Sequence, residues 1–306
     1  MLTGLCGWRW RQSQDVVADL GVQVVREDIR PEMADDEIET VIADFTVSRG
    51  VHPLWLIAGG HGTWPDGQPV TPHGVAELAM RALDACDQRD EILAAPWGIE
   101  ILNEPDLAHP HYAQHPERFA EAVRLSRDAL RGAGYDGHVV SGGVSNLNGR
   151  GISYLATALK AGLPDDVVIG FHRYPRDAGP TAGHFWPSRS REGEWQRFRA
   201  VVGDRRLACT ECGYGRHRKG NGRRWTEQEQ ADHTRWELDF LAGHGVELAT
   251  IYQIASGSDD SDEQYGVLRE DGTETALAET IRLWCAPPSG VGRAKGPCRS
   301  RGRGTR

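Results

Sequence analysis

Ile99-Glu100-Ile101-Leu102-Asn103-Glu104-Pro105 is an apolar run that breaks into polar chemistry at its end. The same grammar recurs along the chain. Short stretches rich in valine, isoleucine and leucine span Leu2 to Gly7, Val22 to Arg26, Leu54 to Gly59, Gly98 to Asn103, His138 to Ser141, Val167 to His172, Arg206 to Glu211 and Glu247 to Ile254. Helix-period segments alternate with them: Ser13 to Leu20, Ala34 to Arg49, Pro72 to Ala85, Pro116 to Arg131, Gly151 to Ala161, Ser190 to Val202, Thr226 to Ala242 and Thr275 to Trp284. The seventh is the best marked, because Thr226-Glu227-Gln228-Glu229 is a capping box and apolar residues follow at Ala231, Trp236, Leu238 and Leu241. Strands and helices in strict alternation, without a break in composition, predict an α/β protein of the (β/α)8 TIM-barrel class, a single domain over residues 1–286. The competing arrangement is a doubly wound open sheet. Its dinucleotide-binding form needs a G-x-G-x-x-G turn after the first strand, and none stands there.

Length and composition agree with that reading. The chain has 306 residues, 39% of them hydrophobic and 26% charged, with ten tryptophans, which is the make-up of an ordinary globular protein with a sizeable core. The carboxyl-terminal stretch differs. Residues 287–306 carry Arg293, Lys295, Arg299, Arg301, Arg303 and Arg306 among glycines and no acidic residue, and read as a disordered basic tail. Removing those six charges from the overall −9 leaves about −15 on the body, a balance that repels nucleic acid and anionic membrane from the barrel. No apolar run approaches the roughly 18 residues of a membrane span. Met1-Leu2-Thr3-Gly4-Leu5-Cys6 lacks the basic and apolar regions of an export signal, so the expectation is a cytoplasmic protein, or a secreted one if the start is truncated. Six irregularly spaced cysteines do not suggest a disulfide framework, and the lone Cys209-Thr210-Glu211-Cys212 reads as packing.

In a barrel of this class the chemistry belongs where strands run out into the following loops. Polar residues collect there: Arg26 and Asp28 after the second run, His61 and Trp64 after the third, Asn103 and Glu104 after the fourth, His172 and Tyr174 after the sixth, Glu211 after the seventh, Tyr252 and Gln253 on the eighth. Glu104 and Glu211 are 107 residues and three βα units apart. Strands three steps apart in a ring of eight lie nearly opposite, so two carboxyl groups converge from facing walls. Retaining glycosidases require that arrangement at about 5 to 5.5 Å, one group attacking the anomeric carbon and the other protonating the departing oxygen. Two carboxyl groups so close also push their titrations apart, giving one acid and one anion. Arg26 and Tyr174 are the nearest partners for the anion.

Taken together, Asn103-Glu104-Pro105, Glu211 and His172-x-Tyr174 resemble the clan A glycoside hydrolases, over nearly the whole barrel. Val25-Arg26-Glu27-Asp28, Tyr265-Gly266-Val267-Leu268 and Asp271-Gly272 are similar to segments of the cellulase-like and xylosidase-like branches, families five and thirty-nine. The resemblance implies a retaining O-glycosyl hydrolase with Glu104 as acid/base and Glu211 as nucleophile. It further implies that Asn103 holds a sugar 2-hydroxyl, that Arg26 orients and Tyr174 donates to the nucleophile, and that His172 lines the glycone site. Many members place a tryptophan on the eighth strand; this chain has Ile251-Tyr252-Gln253-Ile254, so Tyr252 or Gln253 takes that place. Neither cofactor nor metal is expected, and the partner is a glycoside, oligosaccharide or polysaccharide.

Rival readings make different demands. A metal-dependent barrel hydrolase would gather His52, His61, His172 and His217 and place a His-x-His near the end of the first run, where Cys6-Gly7-Trp8 stands. A non-catalytic carbohydrate-binding barrel would keep the aromatics and lose a carboxylate. Trp8, Trp10, Trp64, Trp186 and Trp225 fall in or near predicted loops, with flat faces suited to sugar rings. Arg216, His217, Arg218, Lys219, Arg223 and Arg224 read by default as a solvated charge run and alternatively as a preference for an acidic or acetylated glycan, and Asp259, Asp260, Asp262 and Glu263 read as a solvated loop.

Overall fold

A computed structural model describes residues 1–7, 10–45, 50–59, 63–64, 66–87, 96–107, 109, 111–175, 191–218, 222–256 and 264–286. The basic tail, His61, Trp8, Trp186, Lys219 and the acidic loop at 259–263 lie outside the described residues.

Elements follow one another as β1 (Leu2–Cys6), α1 (Trp10–Asp19), β2 (Val24–Ile29), α2 (Asp35–Ala43), β3 (His52–Ile57), α3 (Pro72–Asp87), β4 (Gly98–Ile101), α4 (Pro116–Gly132) and β5 (His138–Ser141). The second half continues with α5 (Gly149–Lys160), β6 (Ile169–Arg173), α6 (Arg191–Val202), β7 (Leu207–Cys212), α7 (Glu227–Gly243), β8 (Leu248–Ile251) and α8 (Ala276–Cys285). A two-residue ribbon, 217–218 against 222–223, decorates the loop after β7. The strands form one parallel sheet in which β1 lies between β2 and β8, and β7 joins β8 to β6. Closure comes from the β5–β6 edge, where Ser141 N donates to Val168 O at 2.8 Å and Val168 N to Val139 O at 2.9 Å. The ring is the expected (β/α)8 barrel.

Local chemistry accounts for the element ends. Thr226 accepts from Glu229 N at 2.9 Å while Glu229 accepts from Thr226 N at 2.7 Å, so the capping box read in the sequence starts α7. Asn148 caps α5 by accepting from Arg150 N and Gly151 N. One helix start differs from the sequence reading. The first helix begins at Trp10 rather than Ser13, because Trp10 is buried and stacks on Phe45 at 4.9 Å, and that contact carries the helix back by a turn. Trp10 is thus core, not a sugar platform.

The strands present two faces. Outward residues pack with the helices in one large core, whereas Val24, Leu54, Val140, Val168, Ala208 and Leu248 fill the lower barrel as a separate inner plug. A barrel plugged from below can open only at the carboxyl ends of its strands. Inward residues turn polar there, with Arg26, Glu100, His172 and Thr210 all buried.

Candidate functional site

Alternation along a strand sends neighbouring side chains to opposite faces. Both glutamates reach the barrel mouth by breaking that rule. On β4, Ile99 and Ile101 face outward, and Leu102 joins them in the outer core instead of pointing in. Leu102 has φ 70° and Glu104 φ 42°, left-handed conformations that cost a non-glycine residue of order 1–2 kcal/mol each. The two turns bring both Asn103 and Glu104 to the inner side. On β7 the device is a bulge: Phe171 pairs with Cys209 and His172 with Glu211, so Thr210 is the extra residue. Cys209 and Cys212, an odd step apart, both lie in the outer core, while Thr210 and Glu211 occupy the bulge between them. Without it Glu211 would point at α7.

The aimed carboxyl groups meet. Ligand atoms of Glu104, Glu211 and His172 all lie within 4.8 Å of one another. Arg26 Nη1 donates to Glu211 Oε1 at 2.7 Å, and Tyr174 Oη donates to Glu211 Oε2 at 2.5 Å. His172 Nδ1 is 3.1 Å from Glu104 Oε1 and 3.5 Å from Glu211 Oε2, placing one titratable ring against both carboxylates. Arg26 Nη2 donates to Asn103 Oδ1 at 2.8 Å. The strand that carries Glu104 also carries the arginine's main anchor, Glu100, which accepts from Arg26 Nε at 2.6 Å and Nη2 at 3.3 Å.

Charge separates the two glutamates. Burial alone would raise the Glu211 pKa, but His172, Arg26 and the Tyr174 hydroxyl outweigh it and hold this carboxyl below its ordinary value. Burial would lower His172, and the two carboxylates beside it raise it instead. Glu104 is the more open of the pair, its side chain 21% exposed against 9% for Glu211. Its loop is tied from behind, because Asp106 accepts from both Ser145 N and Ser145 Oγ at 2.8 Å and so joins the β4 loop to the β5 loop.

No protein-family model matches the chain, and no curated protein matches it. Solved structures do. An exo-β-1,4-mannosidase from Opitutaceae bacterium strain TAV5 superposes with a TM-score of 0.69 at 16% identity, over 93% of this chain and 59% of the mannosidase. A β-xylosidase from Caulobacter crescentus CB15 gives 0.66 at 13% identity, over 93% of this chain and 67% of the enzyme. An endoglucanase from Pseudomonas stutzeri gives 0.63 at 12% identity and covers 95% of both chains. The shared feature is the (β/α)8 barrel. Identities this low establish the fold, and the chain spans only 59% of the mannosidase's length.

The remaining sequence-read residues fall into place around the pair. Asp28 accepts from Gly59 N at 3.1 Å, at the rim between β2 and β3. Trp64 packs on the first turn of α3, close to Gly74. Tyr252 sits 6.0 Å from Tyr174 and 5.6 Å from Tyr265, and Tyr265 is 5.5 Å from Tyr174, so three tyrosines cluster beside Glu211. Gln253 is buried, and its peptide bond to Tyr252 is cis. Arg216 is buried and pairs with Glu227, the first residue of α7, at 2.7 Å, so its charge is committed to the start of that helix. Trp225 lies edge-on to His233 at 4.6 Å. Among the described residues, three histidines of the metal reading are not gathered: His52 opens β3 at the lower end of the barrel, whereas His172 lies near the upper end of β6, and His217 is on the ribbon. Cys209 and Cys212 are buried free thiols bonded to backbone carbonyls at 3.4 Å, consistent with packing.

Two contributors went unread in the sequence. Glu100 is fully buried, and a lone carboxylate inside an apolar strand was the signal that a buried cation must face it. Gly143 is the other: a Cβ there would stand 2.4 Å from the His172 ring and 2.6 Å from Thr210 Oγ1, so only glycine leaves room for the histidine.

Proposed function

We propose that this chain is a retaining glycoside hydrolase of clan A type that cleaves O-glycosidic bonds by double displacement. One observation carries the reading: one carboxylate oxygen of Glu104 and one of Glu211 lie within 4.8 Å of each other, which accords better with the about 5 to 5.5 Å between the carboxyl groups of a retaining pair than with the roughly 6.5 to 9.5 Å of an inverting one. Glu211, ionised and clamped by Arg26 and Tyr174, attacks the anomeric carbon. Glu104 gives its proton to the departing oxygen, then takes one from the water that breaks the glycosyl–Glu211 ester. Two inversions leave the configuration unchanged. Asn103 spends its carbonyl on Arg26, which turns its NH2 end toward the cavity to donate to a sugar hydroxyl. His172 lines the glycone site beside both carboxylates. The tyrosine cluster with Tyr252 supplies an aromatic wall where relatives carry tryptophan. Asp28, Trp64, His61 and Gln253 complete the proposed substrate surface. The solved neighbours named as β-mannosidase and β-xylosidase favour β-linked glycosides or polysaccharides as substrates.

A panel of aryl β-glycosides and β-glycans tests this with the wild type, Glu211→Gln and Glu104→Gln. Glu211→Gln reduces turnover to background on every substrate. Glu104→Gln loses about 10²- to 10⁴-fold on sugar leaving groups but spares activated phenols, which depart without a proton. The first-formed product, followed by NMR, has the anomeric configuration of the substrate. Near-normal rates in both variants refute the assignment, and tight binding without turnover by the wild type points to a carbohydrate-binding barrel. The spacing of Glu104, His172 and Glu211 also suits a divalent cation. Activity abolished by EDTA and restored by a divalent ion would favour that reading; on the proposed one EDTA has no effect, because Arg26 already supplies the positive charge on Glu211.

A further inference from the structure

We infer that Glu100 is a positioning residue that sets how much of the Arg26 charge reaches Glu211, and thereby where the nucleophile titrates. The inference rests on the retaining reading of the Glu104–Glu211 pair. Arg26 is a buried guanidinium shared between two carboxylates: Nε and Nη2 go to Glu100, Nη1 to Glu211. Glu100 is completely buried, and apart from Arg26 it accepts from Gly143 N at 3.2 Å. That last bond links it to the glycine against which His172 rests. Glu100 reaches no catalytic group directly; it acts through Arg26.

A cation bonded to one carboxylate alone would bind it as a full partner. Placed between two, it divides its field, and the second anion also repels the first across the guanidinium. A nucleophile needs to be ionised yet basic, so an arginine fully devoted to Glu211 would leave a stable, poorly reactive anion. The second carboxylate relieves that. It also fixes the plane of the guanidinium through its Nε edge, so that Nη1 and Nη2 are aimed at Glu211 and Asn103. Among the described residues, the other titratable and charged groups near Glu211 or Arg26 are Cys6 on β1, Asp28 on β2, Glu104 beyond β4, His172 on β6, Tyr174 just after it, Tyr252 after β8, and Tyr265. None of these holds the Nε edge of Arg26.

The test is the pH profile of kcat/KM on an activated aryl glycoside for the wild type, Glu100→Gln and Glu100→Asp. Glutamine keeps an acceptor for Arg26 and removes the charge, so Glu211 becomes easier to ionise. The acidic limb moves down by about one pH unit or more, since a charge within about 6 Å shifts a neighbour by that much. Aspartate keeps the charge, so its acidic limb stays within about 0.3 unit of the wild type while kcat falls from the displaced guanidinium. An acidic limb unmoved in folded Glu100→Gln overturns the inference. So does a limb in Glu100→Asp displaced downward by a full unit, and this second arm decides the matter if the glutamine variant does not fold. Either result with wild-type turnover still dependent on Glu211 leaves the glycosidase reading standing, whereas that reading fails on its own if the wild type hydrolyses no glycoside.

Discussion

Replacing Tyr174 with phenylalanine isolates one hydrogen bond on the nucleophile. The tyrosine hydroxyl donates to Glu211 Oε2 at 2.5 Å. The ring stands edge-on to Tyr252 and Tyr265 at 6.0 and 5.5 Å, contacts that phenylalanine preserves. A hydrogen bond to a charged group contributes about 1.5–3 kcal/mol. At 1.36 kcal/mol per pH unit, its loss raises the Glu211 pKa by roughly one to two units. The sign follows from which form the bond favours: the hydroxyl stabilises the anion, and Glu211 is held below its ordinary value partly by this bond, behind His172 and Arg26. Arg26 remains on Oε1 at 2.7 Å, so ionisation is delayed, not abolished. The acidic limb of kcat/KM on an activated aryl glycoside therefore moves upward by that amount, while activity persists well above it. Stability changes in the same sense. A depressed carboxyl contributes stability above its unfolded-state value, about 4.3, which is lost as pH falls through the folded-state value. In Tyr174→Phe that contribution is smaller and its loss is complete at a higher pH in thermal melts. A folded variant whose acidic limb coincides with the wild type would refute the claim that this hydroxyl stabilises the nucleophile's charge.

Two further substitutions probe the frame. Glu237 on α7 is buried, accepts from Tyr214 Oη at 2.8 Å, pairs with Arg191 and lies 3.8 Å from Arg173 Nε; Glu237→Ala strands buried cations at about 3–5 kcal/mol, and a drop in Tm on the order of 10 °C is expected. A Tm within 2 °C or so of the wild type would show the cluster to be dispensable. Glu27 has a buried Oε2 without a hydrogen-bond partner, and burial, then the neighbouring Asp28, push it up to about 8. Its stability contribution is present below the unfolded-state value near 4.3 and lost as pH rises to about 8, so Glu27→Gln should gain in Tm over the wild type across that window and hold the gain above it. A Tm difference independent of pH would contradict this.

The repeated passage from apolar run to polar loop was legible because strands covered on both faces must be apolar throughout and helices must be amphipathic. The eight strand positions and the clustering of Arg26, Asn103, Glu104, His172, Tyr174 and Glu211 at their ends followed from local chemistry. Glu100 escaped notice because its partner is 74 residues away in sequence, on a strand two positions over. The loop bearing Arg216 looked like free positive charge, since only folding brings Glu227 to it.

What the chain alone determined was which residues stand at the mouth of the barrel. Where the two glutamates point was decided by tertiary structure. Simple alternation would turn Glu211 toward α7, and it is the register of β7 against both β6 and β8 that forces the extra Thr210 into a bulge. Left-handed turns at Leu102 and Glu104 do the same for the other carboxyl. Such conformations are disfavoured locally, so no local signal encodes them; they persist because neighbouring strands, the Arg26 bridge and the packed outer core leave no alternative.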